Sequence, residues 1–222
     1  MKQKIYWTLV FVLSGLTAVA EDKSSPAGDQ IVYENNFEKA ELDKVPTEFL
    51  VLDGGFAVKQ EQTNKFIELP GAPLETFGFL FGPTSESDIS VSAKMRGSTK
   101  GRRFPTYALG LNGVSGYRLQ VSPAKKALEL FKGDEIAATA ALEEKIGAWM
   151  KLQLQVTKVS DTEWRVEGKA WLEGSSEPGK AQIVFLEKTK PIAGRASIWG
   201  SPYAGTPIQF DDLKIIKTIA GK

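Results

Sequence analysis

Short runs in which apolar and polar residues alternate recur from Ile31 to Ile216, and turn residues separate them. In the clearest run, over 150–156, four apolar residues alternate with Lys151, Gln153 and Gln155. Because successive side chains of a strand point to opposite faces, this pattern predicts strands with one buried face. Many such short strands are typical of an all-β sandwich or barrel. The predicted strands are 49–52, 56–58, 89–95, 107–111, 117–121, 128–130, 150–156, 164–172, 183–186, 196–199 and 208–216.

Turn residues predict which strands are joined directly. Asp53-Gly54-Gly55 between two apolar runs predicts a β-hairpin, and Asn112-Gly113 predicts a second one. The segment 135–146 is rich in Ala, Leu, Glu and Lys, so its composition allows one helix or a strand followed by a loop. We favour the strand and loop, which keeps the fold all-β.

The amino terminus predicts export. Lys2 and Lys4 precede the apolar run Ile5–Leu16, and Ala18-Val19-Ala20 supplies a small-x-small cleavage pattern. This is typical of a secretory signal peptide cut before Glu21, and its apolar core is too short for a stable membrane anchor. We therefore expect a periplasmic or extracellular protein. Its parts are a signal peptide (1–20), a flexible lead-in (21–29), a β-sandwich domain (30–217) and a tail (218–222).

Composition excludes several classes of function. The chain contains no histidine and no cysteine, which excludes Ser-His-Asp and Cys-His catalysis and removes the commonest zinc ligands. Without the predicted signal peptide, 28 − 2 = 26 basic residues face 27 acidic ones, a net charge of −1. A chain so close to neutral has no general attraction for nucleic acid or an anionic membrane, so neither is predicted as a partner.

Six motifs suggest a fold family through their order along residues 30–216. They are Tyr33-Glu34-Asn35-Asn36-Phe37, Asp53-Gly54-Gly55-Phe56-Ala57-Val58, the strand pair 107–121, Trp149-Met150-Lys151-Leu152, Lys169-Ala170-Trp171 with Gly174 and Glu177-Pro178, and Phe210-Asp211-Asp212-Leu213-Lys214-Ile215. Together they resemble the concanavalin A-like lectin/glucanase jelly roll, and more narrowly the laminin-G-like and 3-keto-disaccharide-hydrolase-like domains of exported bacterial proteins. The resemblance implies a two-sheet antiparallel jelly-roll sandwich. It leaves carbohydrate binding, glycoside processing and a structural cell-envelope role open, because this fold carries all three.

The acids of the chain do not form the glucanase motif. Retaining glucanases of this superfamily carry three acids on one strand, at a spacing that places them on one face. Here only pairs occur, namely Glu41 with Asp43, Glu86 with Asp88 and Asp161 with Glu163. We therefore predict a non-catalytic carbohydrate-binding module. A hydrolase that assembles its carboxylates from separate strands remains the alternative, with no residue assigned to it.

The last strand predicts a bulge and a metal. Ile208 and Phe210 share one parity whereas Leu213 and Ile215 share the other, so the pattern slips at Asp211-Asp212. Two adjacent carboxylates suit an oxygen-bound cation such as Ca²⁺. The family resemblance implies structural calcium where the first and last strands meet, which would bring Glu34 or Asn36 toward Asp211 or Asp212. The alternative is an acidic pair that protects an exposed sheet edge.

Two tryptophans are the main candidates for contacting a glycan. Trp171 and Trp199 share strand parity with polar neighbours, so we expect both indoles to face outward in one groove. A ring among polar groups can stack on a sugar while those groups bond its hydroxyls. The further candidates for this groove are Tyr203, Arg118 and Gln120, for which a solvated sheet surface is the alternative. Trp149 begins a strand, which is typical of a ring with a packing role.

A cluster of basic residues predicts a second type of contact. Five positive charges without a nearby acid in the sequence stand at Lys94, Arg96, Lys100, Arg102 and Arg103. Such a cluster, and Arg102 and Arg103 in particular, suits a sulfated or acidic polysaccharide. The alternative is an ordinary solvated loop.

Overall fold

Two antiparallel sheets face each other in the computed structural model, which describes residues 28–73, 75–143, 145 and 147–219. The predicted signal peptide lies outside the described residues. Sheet A runs, in spatial order, β13 (Ile183–Glu187), β12 (Glu163–Leu172), β11 (Met150–Ser160), β6 (Ile89–Gly97), β15 (Ile208–Ile219), β4 (Asn64–Leu69) and β3 (Ala57–Glu61), with β1 (Gly28–Asn35) also paired to β15. Sheet B runs β10 (Glu135–Ala141), β9 (Ala127–Lys132), β8 (Tyr117–Ser122), β7 (Thr106–Leu111), β14 (Gly194–Ser201), β5 (Phe77–Ser85) and β2 (Leu50–Asp53). The prediction of an all-β, two-sheet antiparallel sandwich is confirmed.

The core fills the space between the two sheets. On β11 the residues Leu152, Leu154 and Val156 are fully buried, while the residues between them lie on the outer face. Aromatic side chains fill one end of the core, where Phe49 stacks on Phe79 with ring centroids 4.6 Å apart. The alternation read from the sequence therefore identifies the outward side chains of both sheets, which are the ones available to a ligand.

The first predicted hairpin is wrong. β2 pairs with β5 in sheet B, whereas β3 pairs with β4 in sheet A, so 53–55 carry the chain from one sheet to the other. Gly54 has φ +108°, and a Cβ there would lie 2.9 Å from Cβ of Phe77. Turn residues show that the chain bends here, but only tertiary packing decides that it changes sheets.

Two other local predictions are confirmed. β7 and β8 form the expected hairpin around Asn112-Gly113, and 135–141 form a strand followed by irregular chain. At the ends of the domain, Gly28 pairs with Ile219 and Asp29 with Thr218. These residues, which are predicted to form the lead-in and the tail, thus extend the first and last strands. The sequence shows no alternation of apolar and polar residues there.

A buried carboxylate joins the two sheets. Glu187 on β13 accepts hydrogen bonds from the Tyr117 hydroxyl at 3.0 Å and the Thr189 backbone N–H at 2.8 Å, and its carboxylate lies 2.7 Å from Nζ of Lys132. Burial alone raises the pKa of Glu187, but the bonds from Lys132, Thr189 and Tyr117 outweigh it, so the pKa lies below its usual 4.5. The charged form is therefore the one that the fold stabilises.

We expect the free energy of unfolding of Glu187→Gln to change less between pH 7 and pH 3 than that of the wild type. Because the folded-state pKa is lowered, the stabilisation by Glu187 is present above the unfolded value of 4.5 and is lost as pH falls through the folded-state pKa. The variant should lose about 2 kcal/mol at pH 7, and its deficit should shrink towards pH 3. Urea unfolding at pH 7, 5, 4 and 3 measures this. A deficit of constant size across that range would contradict it.

Candidate functional site

A groove of about 350 Å³ lies on the outer face of sheet A. Strand register places its parts, because Trp171 on β12 lies beside Lys151 on β11, which lies beside Lys94 on β6. In the neighbouring row, Gln153 lies beside Ser92. We call this surface the Trp171 groove, and its side chains are Glu34, Ser92, Lys94, Lys151, Gln153, Trp171, Glu177, Asp212 and Lys214.

Trp171 supplies the only aromatic ring among these lining residues. The side chain is half-buried and turned outward, as its strand parity predicts. Within the described part of the chain its indole makes no ring contact and no hydrogen bond. Part of an apolar ring surface that forms no ring contact or hydrogen bond is thus exposed inside a polar groove.

Ion pairs hold the charged walls of the groove. Nζ of Lys214 lies 3.2 Å from a carboxylate oxygen of Glu34 on the neighbouring strand β1. Glu177 is paired with Lys169, the residue two positions before Trp171 on β12. These pairs fix donors and acceptors in place without removing them from the surface, since Glu34 and Glu177 remain about half exposed.

Lys94 lies at the centre of an acidic cluster at the edge of the groove. Its ammonium lies 3.1 Å from Asp212, 3.3 Å from Asp211 and 3.3 Å from Glu173. Burial lowers the pKa of Lys94, but the bond to Asp212 and the charges of all three acids outweigh it and raise the pKa overall. Asp211 is 1% exposed, and burial raises its pKa despite its bonds to Asn64 and the Asp212 backbone.

The predicted bulge is present, and Lys94 lies against its two aspartates. The register between β15 and β6 shifts between Asp211 and Lys214, and Asp212 has φ 48°. β1 and β15 pair as expected, which brings Glu34 close to Asp212. However, the two aspartates bind Lys94 and Glu34 binds Lys214.

Asn36 does not join the aspartates either. Its side-chain oxygen accepts a hydrogen bond from the Glu38 backbone N–H at 3.4 Å. Among the residues that the structure describes, no group of three or more Asp, Glu, His or Cys is arranged to hold a metal ion. The ammonium groups of Lys94 and Lys214 pair with carboxylates that the calcium prediction named.

Trp149 has the packing role predicted for it. Its ring lies edge-on to Phe66 at 6.0 Å, and the Arg96 guanidinium lies over it at 4.7 Å. Arg96 also forms an ion pair with Glu61 at 2.7 Å. This cluster covers the outer face of sheet A beyond the groove and leaves less of the Trp149 ring for a ligand.

Trp199 does not share a groove with Trp171, contrary to expectation. β14 belongs to sheet B, so the two indoles face outward from opposite sides of the sandwich. The indole lies over Gly78, where a Cβ would come within 2.6 Å of it, and its N–H donates to Oγ of Ser197 at 2.8 Å. Parity predicts that a side chain faces outward but cannot predict which of the two outer faces it occupies.

Arg118 and Gln120 lie on the same outer face as Trp199. The Arg118 guanidinium lies 5.8 Å from the Trp199 ring and 4.7 Å from the Phe131 ring. Gln120 donates to Oγ of Ser122 at 3.0 Å. Arg118 and Gln120 therefore share an outer face with Trp199, as expected, but they do not share one with Trp171.

Tyr203 and the basic loop meet at one end of the sandwich. The backbone of Tyr203 is held by Thr206, and the Arg103 guanidinium donates to the Ala204 carbonyl at 3.1 Å. Arg102 and Arg103 are exposed. Lys94 and Arg96 do not belong to this loop, because both lie on β6. Each forms an ion pair with an acid from a distant part of the chain.

A larger cleft of about 580 Å³ lies along the segment 34–48. Its walls carry Glu34, Glu41, Glu48, Lys39 and Lys44 but no aromatic side chain. It therefore offers charge without a stacking surface.

The groove residues missed by sequence reasoning are Ser92, Lys151, Gln153, Glu177 and Lys214, and Lys94 is predicted there only as part of the basic cluster. Alternation marks the strand residues as outward, but their grouping depends on the strand order β12-β11-β6-β15-β1. Glu177 reaches the groove from the loop after β12.

No protein-family model matches the chain, and no curated protein matches it. Solved structures do. A Bacillus subtilis protein with a galectin-like fold aligns at TM-score 0.61 and 12% identity, over 87% of this chain and 98% of that one. The chain therefore has a concanavalin A-like jelly-roll fold.

Two further structures with this fold have different activities in their own proteins. The exoplasmic/lumenal domain of VIP36, in a form bound to Ca²⁺ and Man3GlcNAc, aligns at TM-score 0.57 and 8% identity, over 80% of this chain and 89% of that one. An alginate lyase from Aplysia kurodai aligns at TM-score 0.54 and 13% identity, over 85% and 99%. At such identities the likeness shows the fold alone.

In the described residues, no helix has the length and apolar character needed to cross a bilayer.

Proposed function

We propose that this protein is an exported, non-catalytic carbohydrate-binding module and that the Trp171 groove binds the glycan. The observation that supports this most strongly is the partly exposed indole of Trp171, without a ring contact or hydrogen bond, inside a polar groove of about 350 Å³. Apolar faces of sugar rings stack on such indoles, while the surrounding polar groups orient the hydroxyls. Trp149 is covered by Phe66 and Arg96 and is therefore less suited to this role.

The polar lining matches a neutral or weakly charged saccharide. Carboxylates of Glu34, Glu177 and Asp212 accept hydrogen bonds, and the ammonium groups of Lys151 and Lys214 donate them. Both signs of charge line the groove, so it carries no strong field to select an anion or a cation. Sugar hydroxyls, which both donate and accept, are the ligand groups that such a lining satisfies.

We propose that no calcium ion binds at Asp211 and Asp212. Structural neighbours include a Ca²⁺-bound lectin domain, but here Lys94 already supplies the positive charge between these carboxylates. Export rests on the predicted signal peptide and is tested by amino-terminal sequencing of the secreted protein, which should begin at Glu21.

We expect Trp171→Ala to weaken glycan binding at least tenfold, which corresponds to about 1.4 kcal/mol. The loss follows from removal of the stacking surface, which is worth about 0.5–1.5 kcal/mol in addition to the area that it buries. A glycan array identifies a ligand for the protein beginning at Glu21, and isothermal titration then compares the variants.

Trp149→Ala is the matched control, because Trp149 directly precedes β11 of the same sheet and is not among the groove-lining residues. Its affinity should stay within about twofold of the wild type if it remains folded by circular dichroism. Equal affinities of wild type and Trp171→Ala would reject the groove. Release of reducing ends from the bound glycan would reject the non-catalytic assignment and favour the hydrolase alternative.

A further inference from the structure

A second surface, on the outer face of sheet B, contains an arginine whose charge is not neutralised. Strand register places Phe131, Arg118, Gly110 and Ser197 in one row across β9, β8, β7 and β14. Arg118 lies beside Phe131 and reaches across Gly110 toward Trp199. We call Phe131, Arg118 and Trp199 the Arg118 stack.

Charged residues on the neighbouring strands are paired, but Arg118 is not. Lys132 binds Glu187 at 2.7 Å, and Glu129 binds Lys125 at 2.8 Å. Among the described residues no carboxylate forms an ion pair with Arg118, and Asp134 acts on it only through its charge. Arg118 therefore supplies the one positive charge that β7, β8 and β9 leave uncompensated.

The environment of Arg118 is costly for an unpaired cation. Its Nε is buried and has no hydrogen-bond partner in the described structure. Burial lowers the pKa of the guanidinium, and the charge of Asp134 compensates only in part. A buried donor without a partner is unfavourable, and such exceptions in a folded protein call for an explanation.

Geometry restricts the ligand that this arginine fits. The two aromatic rings limit the orientations of the guanidinium. Its Nε is buried without a partner, but its two terminal nitrogens are not. A planar pair of N–H donors matches a carboxylate in a bidentate arrangement. One unpaired positive charge suits a singly charged anion.

Trp199 provides a stacking surface beside that charge. One side of its indole lies against the backbone at Gly78, the Arg118 guanidinium lies 5.8 Å from the ring centroid, and the side chain is partly exposed. Ala108 lies between Gln120 and Trp199 in the adjoining row, and Ala108 and Gly110 are buried beneath the larger side chains. A sugar ring against the exposed part of the indole would place its substituent near Arg118.

We propose that the Arg118 stack is a second ligand site, separate from the Trp171 groove, that binds the carboxylate of a uronic-acid residue in an acidic saccharide. The carboxylate pairs with the terminal nitrogens of Arg118, and the sugar ring packs on Trp199. The two sites lie on opposite sheets, so each can bind without the other. The protein would then link a neutral glycan on one side to an acidic one on the other.

Titration with oligogalacturonides tests the proposal, with the fully methyl-esterified oligomers as the matched ligand. The esters keep the sugar rings and remove the charge, so wild-type affinity should fall at least tenfold. Heparin fragments form a third arm. Tighter binding of heparin than of oligogalacturonides would overturn the carboxylate assignment in favour of sulfate.

Variants locate the site. Arg118→Lys keeps the charge but removes the planar donor pair, and it should bind oligogalacturonides at least tenfold more weakly, as should Trp199→Ala. Arg165→Ala, at an exposed arginine of sheet A, is the control and should bind within about twofold of the wild type. Equal affinity of Arg118→Lys and wild type, or loss confined to Arg102→Ala/Arg103→Ala in the basic loop, would overturn the proposal.

These experiments test the Trp171 groove and the Arg118 stack independently. Trp171→Ala should bind oligogalacturonides like the wild type, since Trp171 lies on sheet A. Loss of oligogalacturonide binding in Trp171→Ala alone would assign acidic saccharides to the Trp171 groove and overturn the second site. The comparison of acid with ester uses only the wild type, so it remains decisive if an Arg118 variant fails to fold.

Discussion

Replacing Asn112 with alanine is expected to lower the free energy of unfolding by about 3–5 kcal/mol, because one buried amide joins three segments of the chain. Its Nδ2 donates to the carbonyls of Ser85 at 3.1 Å, Glu86 at 2.9 Å and Ile192 at 2.9 Å. Asn112 is fully buried, so in the variant these carbonyls lose their partner in an environment without water. Each such loss costs about 1–3 kcal/mol.

The backbone adds to this cost. Asn112 has φ 66°, a left-handed conformation that asparagine tolerates and alanine adopts at an expense of about 1–2 kcal/mol. Asn112→Gly is therefore the matched control, because it removes the same hydrogen bonds without the steric penalty. Urea unfolding should place Asn112→Gly about 1 kcal/mol above Asn112→Ala and well below the wild type. If Asn112→Gly were as stable as the wild type, the hydrogen bonds would contribute nothing.

Asn112 shows how far local sequence reasoning extends. Asn-Gly between two alternating runs predicts a hairpin, and β7 and β8 form one. The same residue also ties the ends of β5 and β14 to this turn, which no local pattern indicates. Alternation with a period of two depends on neighbouring residues, so it predicts strands and their buried faces well. Contacts between segments about 80 residues apart depend on the order of strands in the sheets.

The candidate site shows the same division. Parity correctly places Trp171, Trp199 and Arg118 on outward faces, because it needs only the strand containing each residue. It cannot assign a strand to sheet A or sheet B, so the expected single groove becomes two surfaces on opposite sides. The acidic pair at 211–212 lies at a real bulge, but its partner Lys94 is more than 100 residues away in sequence. Charge pairing of this kind requires the strand register.

Replacing Lys94 with methionine is expected to lower the free energy of unfolding by about 3–5 kcal/mol at pH 7. Methionine fills most of the space but leaves Asp211, Asp212 and Glu173 facing one another without a cation. Asp211 is 1% exposed, so water cannot replace the ammonium at its carboxylate. An uncompensated buried charge is much costlier than the absence of the whole pair.

Acid should restore part of this loss. Burial already raises the pKa of Asp211 in the wild type, and removal of the ammonium charge raises it further. A carboxyl group with a raised folded-state pKa destabilises the fold above that pKa, and the penalty disappears as pH falls through it. The deficit of Lys94→Met should therefore shrink between pH 7 and pH 4. The double variant Lys94→Met/Asp211→Asn should regain part of the lost stability at pH 7.

Calcium distinguishes charge from packing in a second variant, Lys94→Ala. In the wild type the Lys94 ammonium lies 3.1–3.3 Å from the three carboxylates, and Lys94→Ala would leave these carboxylates without the positive charge that a hard cation can supply. Millimolar CaCl₂ should raise the melting temperature of Lys94→Ala by several degrees and leave that of the wild type unchanged. A response of the wild type as large as that of the variant would show that Lys94 does not replace a metal at this bulge. If neither calcium nor acid restored stability, the role of Lys94 would be packing of its alkyl chain.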